Sequence, residues 1–500
     1  MARSDFNLSA GEVRRLWRLL GEFAVDYPAR AGDDRTPVLE WRARRKPKPL
    51  PERGRAAGRV LREAFRYLSR NALHLSSPRY YGLMNPKPAP AAVVGDALAS
   101  LLNPQLGVEA HAPGAFALEQ ETHGWFLGAL GWRRGVGQFT SGGSEANLVA
   151  MKVALNARLP EVARGGVRAV LRLRSGQVRG QPVFYVSEEA HHSVEKFADL
   201  LGLGRKAVRW IPTDDEFAMK PEALAAEIRR DRRAGWRPFC VVATFGTTSS
   251  GAMDPIARLA RVCRRERLWL HVDGAYGGGL VLSRRHRRLW RGIRLADSLT
   301  FDPHKWLAMP FPLGSALVRD PAAASRAFRV QASYVPRGKQ RVENYQLGVQ
   351  WSRRFLGLKL WLALRVHGRR AFEEHFARQM ELGQRFRELL AARPMFATVS
   401  ESPLPISCFT WCEQPRAVRR GVLVESLTRY ERQMNLALVE EMVRRGWAWI
   451  SATRLRRVQV MRMMVINYDT RERHLRRLVR DLERLAREPG VRRLARRLPD

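Results

Sequence analysis

FCVVATFGTTSSGAMDPIARLARVCRRERLWLHVDGAYGGG, residues 239–279, holds two β-rich apolar runs with a helical pattern between them. FCVVATFG (239–246) and LWLHVD (268–273) are apolar on both faces. DPIARLARVCRRE opens with Asp254 as the expected N-cap and Pro255 at the first helical position. Outward from this unit the pattern repeats. PVFYVS (182–187), AVRWIP (207–212) and GSALVRD (314–320) read as further strands, and PEALAAEIRRDRRAG as a helix that opens on Pro221 and closes at Gly235. Strands apolar on both faces, alternating with helices, predict an α/β fold whose central sheet is buried and mostly parallel. Ligands of such sheets bind beyond the C-terminal strand ends.

The alternating zone spans about residues 91–370. Residues 1–90, with the basic, proline-bearing stretch RARRKPKPLPERGR, look like an arm that lies over something else. From about 371 to 500 long helical stretches flank ISCFTW (406–411) and RRVQVMRMMVIN (456–467), which alternate like strands with one wet face. The last helix puts Leu475, Leu478, Val479, Leu482 and Leu485 on one stripe, so its arginines should face water. This end reads as a smaller α+β domain.

Composition narrows the classes. Of 500 residues 45% are apolar, enough for a large packed interior. No apolar run is long enough to span a bilayer, and the N-terminus lacks the apolar core of a secretion signal. The four cysteines, at 240, 263, 408 and 412, form no CxxC pair. A cytoplasmic protein without disulfides, membrane contact or metal is expected. The formal charge of +40 raises nucleic-acid binding. Its arginines are diffuse, however, and no base-reading motif accompanies them, so no specific nucleic-acid partner is expected.

Lys305 is one of only ten lysines among 88 basic residues. In mostly apolar surroundings its charged form would be disfavoured, freeing an amine that can form a Schiff base; a structural ion pair is the alternative. Asp273 ends a predicted strand, where it could keep a pyridine nitrogen protonated or simply cap the following turn. In FTSGGSEANLVAMKVAL (139–155), Gly142, Gly143 and Ser144 lead into a helix whose N-terminus would suit a phosphate. His191, in SEEAHHSVEK, could stack on a flat ring, and Thr248 sits in a hydroxyl cluster after another strand. An anion cradle, a ring-facing histidine, an acid and an amine are the parts of a pyridoxal phosphate site.

HVDGAYGGG (271–279) and ADSLTFDPHKW (296–306), at this spacing, resemble the group II pyridoxal-phosphate-dependent amino-acid decarboxylases, and the resemblance runs from SSPRYYG to MRMMVIN. It implies fold type I, the aspartate-aminotransferase type, and a homodimer with active sites at the subunit interface. It implies a covalent cofactor link at Lys305, a ring-nitrogen partner at Asp273 and ring stacking by His191. Phosphate contacts fall to Gly142, Gly143, Ser144 and His304, further cofactor contacts to Thr248 and Ala275, and a mobile-loop tyrosine to Tyr334 in QASYVPRG. The implied activity is decarboxylation of an L-amino acid to the amine and carbon dioxide, with an aromatic substrate favoured. Alternatives are glutamate, aspartate or 2,4-diaminobutyrate as substrate, aldehyde synthesis on the same cofactor, or a basic nucleic-acid-binding scaffold. The sequence departs from the family at Gly274, where alanine is common, and at Gly142, where many members have serine or threonine. The loop after Tyr334 looks short, and RLRRVQVMR carries arginines where relatives often have glycine.

Overall fold

The structure is a computed structural model that describes residues 8–41, 46, 49–174, 177–330, 342–415, 418–419, 422–423, 427–456 and 458–499. The chain begins with helix α1 (Ala10–Gly32), opened by a capping box between Ser9 and Glu12, and helix α2 (Ala57–Ser69). These two bury almost nothing: Ala31 is the only buried residue of α1, and α2 has none.

Seven strands then form the central sheet: β1 (Val136–Thr140), β2 (Pro182–Ser187), β3 (Val208–Ile211), β4 (Arg237–Thr244), β5 (Trp269–Asp273), β6 (Ser298–Phe301) and β7 (Gly314–Val318). Their spatial order is β1-β7-β6-β5-β4-β2-β3. β7 runs antiparallel to both β1 and β6, and the other neighbours are parallel. Every residue of β2, β5, β6 and β7 is buried, as expected of strands covered on both faces. Helices α3 (Gly143–Arg158), α4 (Pro221–Arg233) and α5 (Ile256–Glu266) connect strands of this sheet. Pro221 does open α4, and Gly235 beyond its end adopts a positive φ of 82°. Asp254 does not cap α5. Its carboxylate instead accepts the backbone N–H groups of Met219 and Thr244, both at 2.7 Å, and so ties two neighbouring segments together.

Helix α6 (Leu358–Ala391) leads out of the large domain and breaks its helical geometry at Gly368 (φ 70°). It leads to an antiparallel sheet of β8 (Phe396–Ser400), β9 (Ile406–Trp411), β10 (Ser451–Leu455) and β11 (Val458–Met464), in the order β8-β9-β11-β10. Helices α7 (Arg429–Arg444) and α8 (Glu472–Arg487) complete this end. The predicted leucine stripe of α8 is buried, while Arg473, Arg476, Arg480, Arg484 and Arg487 are exposed. The predicted wet face of β9 and β11 is absent: β9 is buried throughout, and β11 from Val460 onwards. One reason is that this sheet leans on the large domain, where Cys408 Sγ lies 3.1 Å from the Ser249 carbonyl and Thr453 bonds the Ser249 hydroxyl at 3.0 Å. Among the described residues no helix is long and apolar enough to cross a membrane.

Candidate active site

The C-terminal ends of β1, β2, β4, β5 and β6 feed one cleft of about 310 Å³. Gly142, Gly143, Ser144, His191, Thr248, Asp273, Ala275, His304 and Lys305 all line it. Nine of the ten residues singled out from sequence therefore converge. The tenth, Tyr334, lies outside the described residues.

Helix α3 begins at Gly143, so its N-terminal turn abuts the cleft, and a helix start attracts anions through its free N–H groups. A Cβ at Gly143 would come within 2.9 Å of Asp302 Oδ2 and 3.1 Å of the Ala275 methyl, so only glycine allows this close approach. At Gly142 a Cβ would meet only His304, at 3.5 Å, so space alone does not require glycine there.

Lys305 follows β6 by one turn. Its surroundings are not apolar: Asp302 Oδ2 lies 3.1 Å from Lys305 Nζ. The Asp302 carboxyl is buried, and its Oδ1 has no hydrogen-bond partner. Sequence reading missed Asp302, although its place three residues before Lys305 in DPHK was a usable signal. His304 is anchored by a 2.7 Å bond from Nδ1 to the Leu313 carbonyl. Burial pulls its pKa below the usual value, against the opposing charge of Asp302. His191 stands exposed on the cleft, and its Nδ1 accepts the Ser193 N–H at 3.2 Å. Desolvation lowers its pKa, opposed by Asp273 and assisted by Lys305. Both shifts favour the neutral ring.

Asp273 is 6% exposed. Its Oδ2 accepts Asn147 Nδ2 at 2.9 Å, and its Oδ1 accepts the Ala275 N–H at 3.0 Å. Asn147 was not foreseen; it lies one helical turn beyond the glycine turn, on the same face of α3. Tyr276, also in the cleft wall, stacks on Trp306 at 5.2 Å, and its hydroxyl has no partner. Arg462 of β11 lies close to Tyr276 and Tyr80. It is 5% exposed, and its Nε and Nη2 make no hydrogen bond.

An amine beside a buried carboxylate, a second buried carboxylate, an anion-ready helix end and two histidines at one edge of a mostly parallel sheet define a pyridoxal-phosphate enzyme of fold type I. The family profile described as "Pyridoxal-dependent decarboxylase conserved domain" matches residues 41–412. The chain is 31% identical over 447 residues to an aromatic-L-amino-acid decarboxylase of Bacillus atrophaeus, covering 88% of each. It is 31% identical over 489 residues to a cysteine sulfinic acid decarboxylase of Rattus norvegicus, covering 95% of this chain and 97% of the relative. A crystal structure of mouse CSAD superposes with a TM-score of 0.87 at 28% identity, covering 96% of this chain and all of the other. The chain therefore belongs to the pyridoxal-phosphate-dependent decarboxylases, lyases that act on amino acids. The cleft fits that cofactor: the space against Gly143 admits no Cβ, and the orphaned Asp302 Oδ1 and Tyr276 hydroxyl add unused polar atoms at its walls.

Proposed function

We propose that the protein converts an L-amino acid with an apolar, aromatic side chain to its amine and carbon dioxide. The observation that carries this reading is the convergence of Lys305, Asp273 and His191 on one cleft whose outer walls include Met84 and Phe311. When bound, pyridoxal phosphate supplies the electron sink for the pair left when the Cα–carboxylate bond breaks. Lys305 makes the covalent link; arginine cannot stand there, because it stays protonated. Asp273 holds a proton on the ring nitrogen. Gly142, Gly143 and Ser144 at the start of α3, with His304, take the phosphate. His191 contacts the ring face, Thr248 and Ala275 contact the cofactor, and Tyr334 delivers a proton to Cα.

Among the described lining residues there is no arginine, and the lysine is committed to the cofactor. An acidic substrate side chain would lack a counter-ion there, which favours the aromatic class. One observation favours a second reading: the buried, half-free guanidinium of Arg462 behind Tyr276 suits a carboxylate. Release of carbon dioxide from a panel of aromatic and acidic amino acids separates the two. The preferred reading expects aromatic substrates to give the higher kcat/KM; a preference for glutamate, aspartate or a sulfinate overturns it.

We also infer a homodimer in the cytoplasm. Trp17, Val25 and Leu68 are 47%, 71% and 65% exposed on α1 and α2, an uncovered apolar surface that a second copy would bury. Four buried cysteines suit a reducing compartment.

A further inference from the structure

Five polar side chains run in single file from the core to the cleft. Residues 269, 271 and 273 alternate along β5 and so face one side of the sheet. β6 pairs with β5 in a register that sets Ser298 opposite His271. Trp269 Nε1 donates to Ser298 Oγ at 2.8 Å, and the same oxygen lies 2.8 Å from His271 Nδ1. His271 Nε2 lies 2.9 Å from Asn147 Oδ1, and Asn147 Nδ2 lies 2.9 Å from Asp273 Oδ2. None of the five residues is more than 6% exposed.

The two ends fix the direction of every proton between them. An indole N–H only donates, so Ser298 accepts it and turns its own hydrogen to His271 Nδ1. A carboxylate only accepts, so Asn147 turns its NH₂ to Asp273 and its carbonyl to His271. His271 must then carry its single proton on Nε2. A second proton, on Nδ1, would displace the Ser298 hydroxyl hydrogen from that bond, and full burial of the ring disfavours its charged form. The file therefore delivers a donor, never a mobile charge, to Asp273.

We propose that Asn147, held in place by His271 and Ser298, is a positioning residue that fixes the rotamer of Asp273 and keeps a donor on its Oδ2. This inference rests on the function proposed above. It gives α3 two tasks at once: its first residues form the phosphate cradle, and Asn147, one turn later, sets the acid that meets the ring nitrogen. One rigid helix then determines the distance between the two ends of the cofactor site. His271 and Ser298 act only through Asn147.

The test uses the full-length protein and its Asn147→Leu, His271→Phe, Ser298→Ala and Asn147→Leu/His271→Phe variants. Three quantities are measured: pyridoxal phosphate affinity by absorbance titration, the pH dependence of the bound cofactor's spectrum, and kcat. Loss of a hydrogen bond to a charged group predicts a drop of about 10- to 100-fold in cofactor affinity or kcat for Asn147→Leu, with a shifted spectral pH profile. The double variant should be no worse than Asn147→Leu alone, because the His271 effect passes through the missing amide. Ser298→Ala, the mildest change, carries the test if larger substitutions cost the fold; it should shift the same pH profile in the same direction. Parent-like cofactor affinity and pH profile in Asn147→Leu, or losses at 147 and 271 that multiply, would overturn the proposal. Asp273→Asn serves as the control for the underlying reading. If that variant is also unimpaired, the assignment of Asp273 fails; if it alone is impaired, only the role of Asn147 fails.

Discussion

Replacing Asp273 by asparagine tests the centre of the site. Both carboxylate oxygens already face donors, Asn147 Nδ2 at 2.9 Å and the Ala275 N–H at 3.0 Å. An amide offers one acceptor oxygen. Whichever way it turns, its NH₂ confronts one of these donors, and the group left unpaired costs about 1–3 kcal/mol of stability. A chain of this size should still fold, with a modest fall in Tm. The larger effect falls on catalysis. Without the negative charge the ring nitrogen loses the partner that favours its protonated form. A preorganised electrostatic group of this kind is worth about 3–4 kcal/mol in the transition state, or about 10²–10³ in kcat. The assay is carbon dioxide release at saturating substrate, normalised to the cofactor content of the same sample and paired with a thermal melt. A folded, cofactor-loaded Asp273→Asn variant that turns over at the parent rate would show that this acid only braces the turn after β5.

Lys305→Ala should abolish multiple turnover while leaving some cofactor binding through the phosphate; sustained turnover by the purified variant would refute the lysine assignment. Tyr334→Phe should divert product from amine towards aldehyde, ammonia and hydrogen peroxide, read with an oxygen electrode and a peroxide assay, because removing the phenol leaves dioxygen to compete for Cα; an unchanged amine yield removes this role from Tyr334. Glu119→Gln leaves the buried guanidinium of Arg353, now 3.0 Å from Glu119 Oε1, without its counter-ion. That should cost about 3–5 kcal/mol in urea denaturation, and parent-like stability would contradict it. Stability should also fall on acidification. Burial depresses the pKa of His271 and His474 to about 4 and that of His123 to about 3. Folded values below the unfolded value of about 6.5 mean that this stabilisation is complete above pH 6.5 and is lost as pH falls towards 4, at about 1.4 kcal/mol per pH unit for each ring. A urea midpoint that holds constant from pH 6.5 to 4.5 would show that these rings titrate normally.

The sequence alone determined the α/β class, because strands buried on both faces must be apolar along their whole length. PVFYVS matched an observed strand residue for residue for that reason, whereas ISCFTW matched its strand in extent but not in the wet face expected of it. It also determined which residues meet at the cleft, since a parallel sheet gathers its C-terminal loops at one edge wherever those loops lie in the chain. Two strands of the central sheet escaped notice. VGQFT and SLTF carry Gln138, Thr140, Ser298 and Thr300, polar side chains that break the apolar run yet are buried. Ser298 finds its partners, Trp269 and His271, on the neighbouring strand, 29 and 27 positions away, while the Gln138 amide and the Thr300 hydroxyl are buried without a hydrogen-bond partner, so none of this burial was legible locally. The same holds at the site. Asp254 looked like a helix cap and instead joins β4 to the Met219 segment. Lys305 looked isolated until the turn after β6 brought Asp302 to 3.1 Å. Asn147 looked like any helix residue until packing of α3 on the sheet set it between His271 and Asp273, 124 and 126 positions away along the chain. Period and composition are local and survive in one dimension. Which buried polar group meets which is a matter of register and helix placement, and only the tertiary structure decides it.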